Sequence, residues 1–235
     1  MNRKLVNHTT AGIYLLGIET SSLTCGIGIS RDDDLLGEIS LNLKNIHSER
    51  LAPMLHVLLE SLSLSPQTLS GIILSSGPGS FTGLRIGYSI AKGLATSLNI
   101  PIVEIPTLDV WAYQTGYQQK PVLVVIDAHR GEIFCAMYRW EREQMQKVHD
   151  YCLISPEELS EKISEPVWIV GGDGEKLAEM LLPFLPEGSR ILRPRAPYLQ
   201  MWALLKLGFV KYNEKHFSDV ASCEPMYMRA FRGVL

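Results

Sequence analysis

The stretch from Ser75 to Ala95, SSGPGSFTGLRIGYSIAKGLA, holds the residues best suited to chemistry. Gly77, Gly79 and Gly83 are interleaved with Pro78, Ser80, Phe81 and Thr82, and Arg85 follows. An apolar run, Ile72-Ile73-Leu74, comes before the loop and a helical pattern after it. A strand, a glycine loop and a helix start in that order aim backbone N–H groups and the positive end of a helix at one point. That suits an anion, a phosphate above all, and Ser80, Thr82 and Arg85 would add donors. The competing reading is a sharp turn that needs the glycines for backbone freedom. The motif alone leaves the two level. No Gly-Lys-Ser/Thr follows, so this is not a Walker loop, and the spacing from Gly79 to Gly83 is one residue too wide for G-x-G-x-x-G.

Two acids could face the same cleft. Glu19, with Thr20 and Ser21, ends the first strand, and Asp127 ends a later one. The plainer roles are turn capping by Thr20 and Ser21 and a hairpin-stabilising Asp127, with Gly131 at the bend. Of the six histidines no two stand four apart, and no H-E-x-x-H occurs, so no metal site is expected. Cys25, Cys135, Cys152 and Cys223 are widely spaced without a C-x-x-C pair, so they read as reduced thiols. Arg190, Arg193 and Arg195 cluster around Pro194; a solvated loop is the default and an RNA phosphate contact the weaker alternative.

The 235 residues are 46% apolar and 20% charged, with a net charge of −3. That supplies a core and argues against disorder. It leaves no general basic field, so any RNA contact is local or made through a partner. The longest early apolar run, Ile13–Ile18, is too short for a membrane span, and a cytoplasmic location is expected.

These residues need elements to hold them. Strands are expected at Tyr14–Glu19, Thr24–Ser30 and Leu35–Leu43, then a helix capped by Ser48 and running to Leu62. Its apolar face is Leu51, Leu55, Leu58, Leu59 and Leu62. A strand at Gly71–Ser75, a helix at Leu84–Leu98, a strand at Ile102–Ile105 and a helix capped by Thr107 follow. The pattern then repeats in degraded form: strands at Pro121–Ile126, Glu132–Trp140 and Lys147–Ile154, a helix capped by Ser155, a strand at Val167–Val170, and helices at Glu175–Leu182 and Pro197–Tyr212. A β-β-β-α-β-α order occurring twice implies two related α/β halves with a cleft between them. On the glycine-loop helix, Gly83, Gly87, Ala91 and Ala95 stand four apart. Such a stripe admits close helix approach, and packing on its own sheet is favoured over a partner.

Five blocks carry a resemblance: Ile18-Glu19-Thr20-Ser21, His47–Met54 (HSERLAPM), Ser76–Gly87 (SGPGSFTGLRIG), Ile126–Ile133 (IDAHRGEI) and Glu224–Arg229 (EPMYMR). Together they resemble the TsaB (YeaZ) family, needed to build threonylcarbamoyladenosine in tRNA, over nearly the whole chain. The resemblance implies an actin-like, sugar-kinase-like (ASKHA) α/β fold of two related domains. Residues 1–13 would be an extension, 14–117 the domain with the glycine loop and partner-facing helices, and 118–235 the second domain, its last helix packing back on the first. It implies a non-catalytic scaffold or activator for threonylcarbamoyl transfer to the adenosine beside the anticodon. The expected partners are a TsaD-like catalytic subunit, a TsaE-like ATPase and, through the complex, tRNA; no membrane is involved. No intrinsic cofactor is implied, and a nucleotide at the partner interface remains open. His47, Leu51, Leu55, Leu58 and Leu62 would form the partner helix, with the Gly77–Arg85 loop, Gly87, Ala91 and Ala95 beside it. An exposed apolar strip there would allow a homodimer when the partner is missing. By analogy with ATPases of the fold, Glu19 could position metal and water. The catalytic relatives carry a His-x-x-x-His pair, but here His47 is followed by Leu51. An independent actin-like ATPase or phosphotransferase is the alternative reading, and a glycoprotease-like peptidase ranks last.

Overall fold

The computed structural model describes residues 12–43, 46–142, 144–172, 175–193, 196 and 198–228. The expectations placed on residues 1–11, Asp173, Gly174, Pro194, Arg195, Pro197 and Arg229 lie outside the described residues.

The chain runs β1 (Tyr14–Glu19), β2 (Thr24–Arg31), β3 (Asp34–Asn42), α1 (His47–Ser61), β4 (Gly71–Ser75), α2 (Phe81–Leu98), β5 (Ile102–Ile105) and α3 (Thr107–Tyr113). It continues β6 (Val122–Asp127), β7 (Ile133–Glu141), β8 (Gln144–Ile154), α4 (Pro156–Lys162), β9 (Trp168–Gly171), α5 (Glu175–Leu181), β10 (Arg190–Ile191) and α6 (Met201–Asn213). The first sheet is ordered β3-β2-β1-β4-β5 and the second β10-β9-β6-β7-β8. Reversed, the second order is the first with every strand advanced by five. In each sheet the opening strand pairs antiparallel with its successor and parallel with the fourth strand of its half. This duplication is the actin-like, sugar-kinase-like architecture expected from the sequence.

The inner strands read as unbroken apolar runs because both faces are covered. Leu15, Leu16, Ile72, Ile73 and Leu74 have no exposed surface, nor do Val122, Val124 and Val125. One face of the first sheet packs against α1 and α2 through Leu51, Leu55, Leu58, Leu59 and Tyr88. Its other face is joined to the second sheet by a core that includes Leu15, Ile73, Trp111, Val124, Met201 and Leu205. Helix α6 contributes to that core by lying close on β4: a Cβ on Gly208 would sit 2.3 Å from a methyl of Ile73.

Four helix starts differ from expectation; α6, expected from Pro197, begins at Met201 with Gln200 at the cap position. Helix α1 begins at His47 with Ile46 at the cap position and no side-chain cap, so Ser48 lies within the first turn. The His47 ring, held by Nε2 against the Thr24 carbonyl at 3.1 Å, ties the start of α1 to β2 instead. Helix α2 begins at Phe81, three residues early, capped by Ser80. Pro106, not Thr107, is at the cap of α3. Ser155 does cap α4, in a full capping box with Glu158.

Candidate functional site

The C-terminal ends of β1 and β6 open onto a shared cleft of about 1630 Å³. Its walls are the turn after β1 (Ser21, Ser22, Leu23), the glycine loop with the first turn of α2 (Pro78 to Ile86), the turn after β6 (Asp127 to Arg130), Phe134 and Leu153, and the returning segment Met226–Met228. His47 and Ser48 reach it from the start of α1.

A phosphate cradle needs free outward-facing N–H groups, and three of this loop's are already engaged. The Gly77 amide donates to the Thr107 hydroxyl (3.1 Å), which also bonds the Ser75 hydroxyl (3.0 Å). The Ser80 amide donates to the Ser21 carbonyl (2.6 Å). The Gly83 amide donates to the Ser80 hydroxyl (3.2 Å). Close approach to the β1 turn explains the glycines. A Cβ on Gly79 would fall 2.1 Å from the Ser21 carbonyl oxygen, and one on Gly83 2.1 Å from that of Thr20. The loop is thus zipped onto the turn after β1.

The small-residue stripe continues this packing. Gly83, Gly87, Ala91 and Ala95 are all buried, and a Cβ on Gly87 would meet the Thr20 hydroxyl at 2.3 Å. On α1, His47, Leu51, Leu55 and Leu58 are buried, and Leu62, at its C-cap, is half-buried. As groups that touch a partner directly, the stripe and the leucines are therefore turned the wrong way: helical spacing marks a face without saying what lies opposite. The outer surface of the two helices carries other apolar groups. Val57 is 49% exposed, Ile86, Ile90 and Leu94 are half-buried, and Gly93 has open space beside it.

The acids occupy equivalent places in the two halves, as the last residues of β1 and β6. Their surroundings differ. Glu19 is completely buried, and its Oε1 accepts from the amide (2.6 Å) and hydroxyl (2.5 Å) of Ser21. Its Oε2 and the Thr20 hydroxyl find no protein partner. Burial lifts the Glu19 carboxyl above its ordinary range, against the opposing pull of the Ser21 hydroxyl and amide. Asp127 is exposed, accepts from the His129 amide (2.7 Å) and lies 3.4 Å from the His129 ring. It braces its turn and also lines the cleft, so its position accommodates both sequence readings.

The raised pKa of Glu19 has a stability consequence. The native state favours the protonated acid, so its contribution is full below the unfolded pKa and is lost as pH rises through the higher folded value. Glu19→Gln removes that loss. Its melting temperature should exceed wild type near pH 7 and converge with it near pH 4. Thermal melts across that range check this; a pH-independent difference would refute it.

One cluster was not anticipated from local sequence signals. Arg85 sits 4.4 Å above the Phe81 ring and donates from Nε to the Tyr227 hydroxyl (3.3 Å), while the Phe81 and Tyr227 rings are 5.5 Å apart. The Met226 amide donates to the Ser76 carbonyl (2.8 Å) and straps this segment across the loop. Tyr227 is distant in sequence and follows no periodic pattern, so only its block in the resemblance pointed here. Thr82 is exposed at the rim. Of the arginine cluster, Arg193 is paired with Glu175 at 2.7 Å and Arg190 lies on β10. Among the described residues no group of three or more His, Cys, Asp or Glu side chains is placed to hold a metal. No helix among them is long and apolar enough to cross a membrane.

Comparisons with known proteins give two related names. The family model described as "TsaD: tRNA N6-adenosine threonylcarbamoyltransferase" matches residues 35–180. The "tRNA threonylcarbamoyladenosine biosynthesis protein TsaB" of Bacillus subtilis (strain 168) is 32% identical over 218 residues, covering 92% of this chain and 93% of the relative. The protein of the same name from Escherichia coli (strain K12) is 29% identical over 171 residues, covering 68% and 71%. Among solved structures, "YeaZ from Pseudomonas aeruginosa" matches with a TM-score of 0.77 at 23% identity, covering 92% of this chain and 99% of that one. That likeness bears on the fold alone.

Proposed function

The chain belongs to the TsaB (YeaZ) family of tRNA threonylcarbamoyladenosine biosynthesis proteins, and on that premise we propose that it works as a non-catalytic subunit. It would pair with a TsaD-like catalytic subunit that places threonylcarbamoyl on the adenosine beside the anticodon. One observation carries this reading: the glycine loop is closed onto the β1 turn through the Ser80 amide and the Ser21 carbonyl. With the Gly77 and Ser80 amides bonded to Thr107 and Ser21, the Gly83 amide capped by Ser80 and Glu19 sealed below, the loop is better built to hold a surface in shape than to grip a reacting phosphate. A TsaE-like ATPase and tRNA would join through the complex, and any nucleotide would sit at the partner interface.

The surface proposed for docking is the outer side of α1 and α2, which pack against each other. Val57→Glu places a charge on it without disturbing the core. A solvent-exposed change of this kind usually alters stability by no more than about 0.5 kcal/mol. We expect Val57→Glu to keep the wild-type melting temperature and lose co-purification with the catalytic subunit. Undiminished complex formation would remove this face from the proposal. The ATPase alternative has its own readout: nucleotide turnover by the pure chain, lost in Asp127→Ala, would replace the scaffold reading.

A further inference from the structure

The sequence spacing of the four cysteines gives no sign of pairing, but the strand register does. Cys135 on β7 and Cys152 on β8 are directly opposed in an antiparallel ladder, and their sulfurs lie 3.0 Å apart. Both are free thiols. From that sulfur separation, closing a bond of about 2.05 Å needs a displacement of only about 1 Å. Cys25, Cys135 and Cys223 are buried, whereas Cys152 is partly open to solvent.

We propose that Cys135 and Cys152 form a reversible dithiol–disulfide pair, with Cys152 the attacking sulfur and Cys135 the resolving one. The roles follow from position and charge. The Cys135 thiol can donate toward the Cys152 sulfur, which holds Cys152 below its ordinary range; Lys162 adds to this, and burial, Asp150 and Glu158 oppose it. Cys135, enclosed with Leu159 and Ile163 of the α4 region, is pushed up by that same contact and by burial. A thiolate is the form that attacks.

The oxidant is a peroxide or a small-molecule disulfide. With hydrogen peroxide, the Cys152 thiolate attacks one oxygen, the O–O bond breaks, and after protonation one water leaves a sulfenic acid. The Cys135 sulfur then attacks the Cys152 sulfur, the S–O bond breaks, and a second water departs with the proton Cys135 gives up. With a small disulfide, Cys152 displaces one thiol and Cys135 displaces the other. In either case the protein loses two hydrogens.

The pair has a structural connection to the cleft. The next rung of the ladder is Phe134 opposite Leu153, and both line the cleft. Adjacent strand residues point to opposite faces, so the bond would form behind the cleft wall and fasten the two strands that carry it.

The test treats the full chain with hydrogen peroxide and, separately, with oxidised glutathione, then blocks free thiols and maps non-reduced peptides by mass spectrometry. The expected product is an intrachain Cys135–Cys152 peptide lacking two hydrogens, removed by dithiothreitol. Cys152→Ser should abolish it. Cys135→Ser should instead leave a sulfenic acid on Cys152 that a dimedone probe captures. The wild-type map needs neither variant, so a folding defect in one does not blunt the result. Two thiols still open to alkylation after treatment, or Cys152 joined to a second chain, would overturn the proposal.

Discussion

Gly83→Ala should destabilise the protein by about 2 kcal/mol or more, although alanine is the better helix former. Two effects compete. Alanine for glycine inside a helix gains about 1 kcal/mol. Against this, the new Cβ would stand 2.1 Å from the Thr20 carbonyl oxygen, and a backbone atom cannot rotate aside. Overpacking typically costs about 1–3 kcal/mol. Moving α2 away would also stretch the bond from the Ser80 amide to Ser21, and an unsatisfied buried partner costs about 1–3 kcal/mol more. Sterics therefore outweigh propensity. The same helix holds the control. Gly93 is exposed, and a Cβ there meets nothing within 4 Å, so Gly93→Ala should stabilise by roughly 0.5–1 kcal/mol. Denaturant melts of both variants decide the matter. Equal effects would mean that the loop does not rest on the β1 turn.

The second large effect concerns the core. Ala91 is fully buried beside Leu16, Leu51 and Tyr88 in one cluster. Ala91→Glu must place a long carboxyl where a methyl fits, combining overpacking with an unpaired buried acid. We expect a loss on the order of 4 kcal/mol, the range reserved for such mechanisms. For a chain of this size that lowers the melting temperature by roughly 10 °C. Leu55→Glu, on the facing helix, belongs to the same class. Either variant would weaken partner binding through lost stability and a disturbed core, not through a lost direct contact. Wild-type melting for Ala91→Glu would mean that the stripe faces outward after all.

That contrast shows where the sequence stops being informative. The strands were legible because inner strands of a covered sheet are uninterrupted apolar runs, as in Ile72-Ile73-Leu74 and Val122–Val125. The repeat was legible because each half spells the same element order. Helix starts were less so: Ser48 and Ser80 are equally good caps by type, yet Ser80 alone caps, because the His47 ring on Thr24 determines where α1 begins. The stripe of Gly83, Gly87, Ala91 and Ala95 was visible, but period carries no information about the opposing surface. Partnerships across long separations were not legible either. Arg85 with Tyr227, and Cys135 with Cys152, depend on chain return and strand register. The glycine loop looked like an anion site for a sound reason, its composition. What redirected its amides was the approach of the β1 turn, a tertiary fact.

Reconstituted formation of threonylcarbamoyladenosine on tRNA, with a TsaD-like catalytic subunit and its co-factors supplied, tests the central claim most directly. Wild type, Val57→Glu and Glu19→Gln are compared, all three first shown to melt cooperatively. If the chain acts by docking, Val57→Glu abolishes modification and Glu19→Gln retains it. Full modification with Val57→Glu and loss with Glu19→Gln would contradict the account, because the buried acid, and not the helix face, would then carry the function.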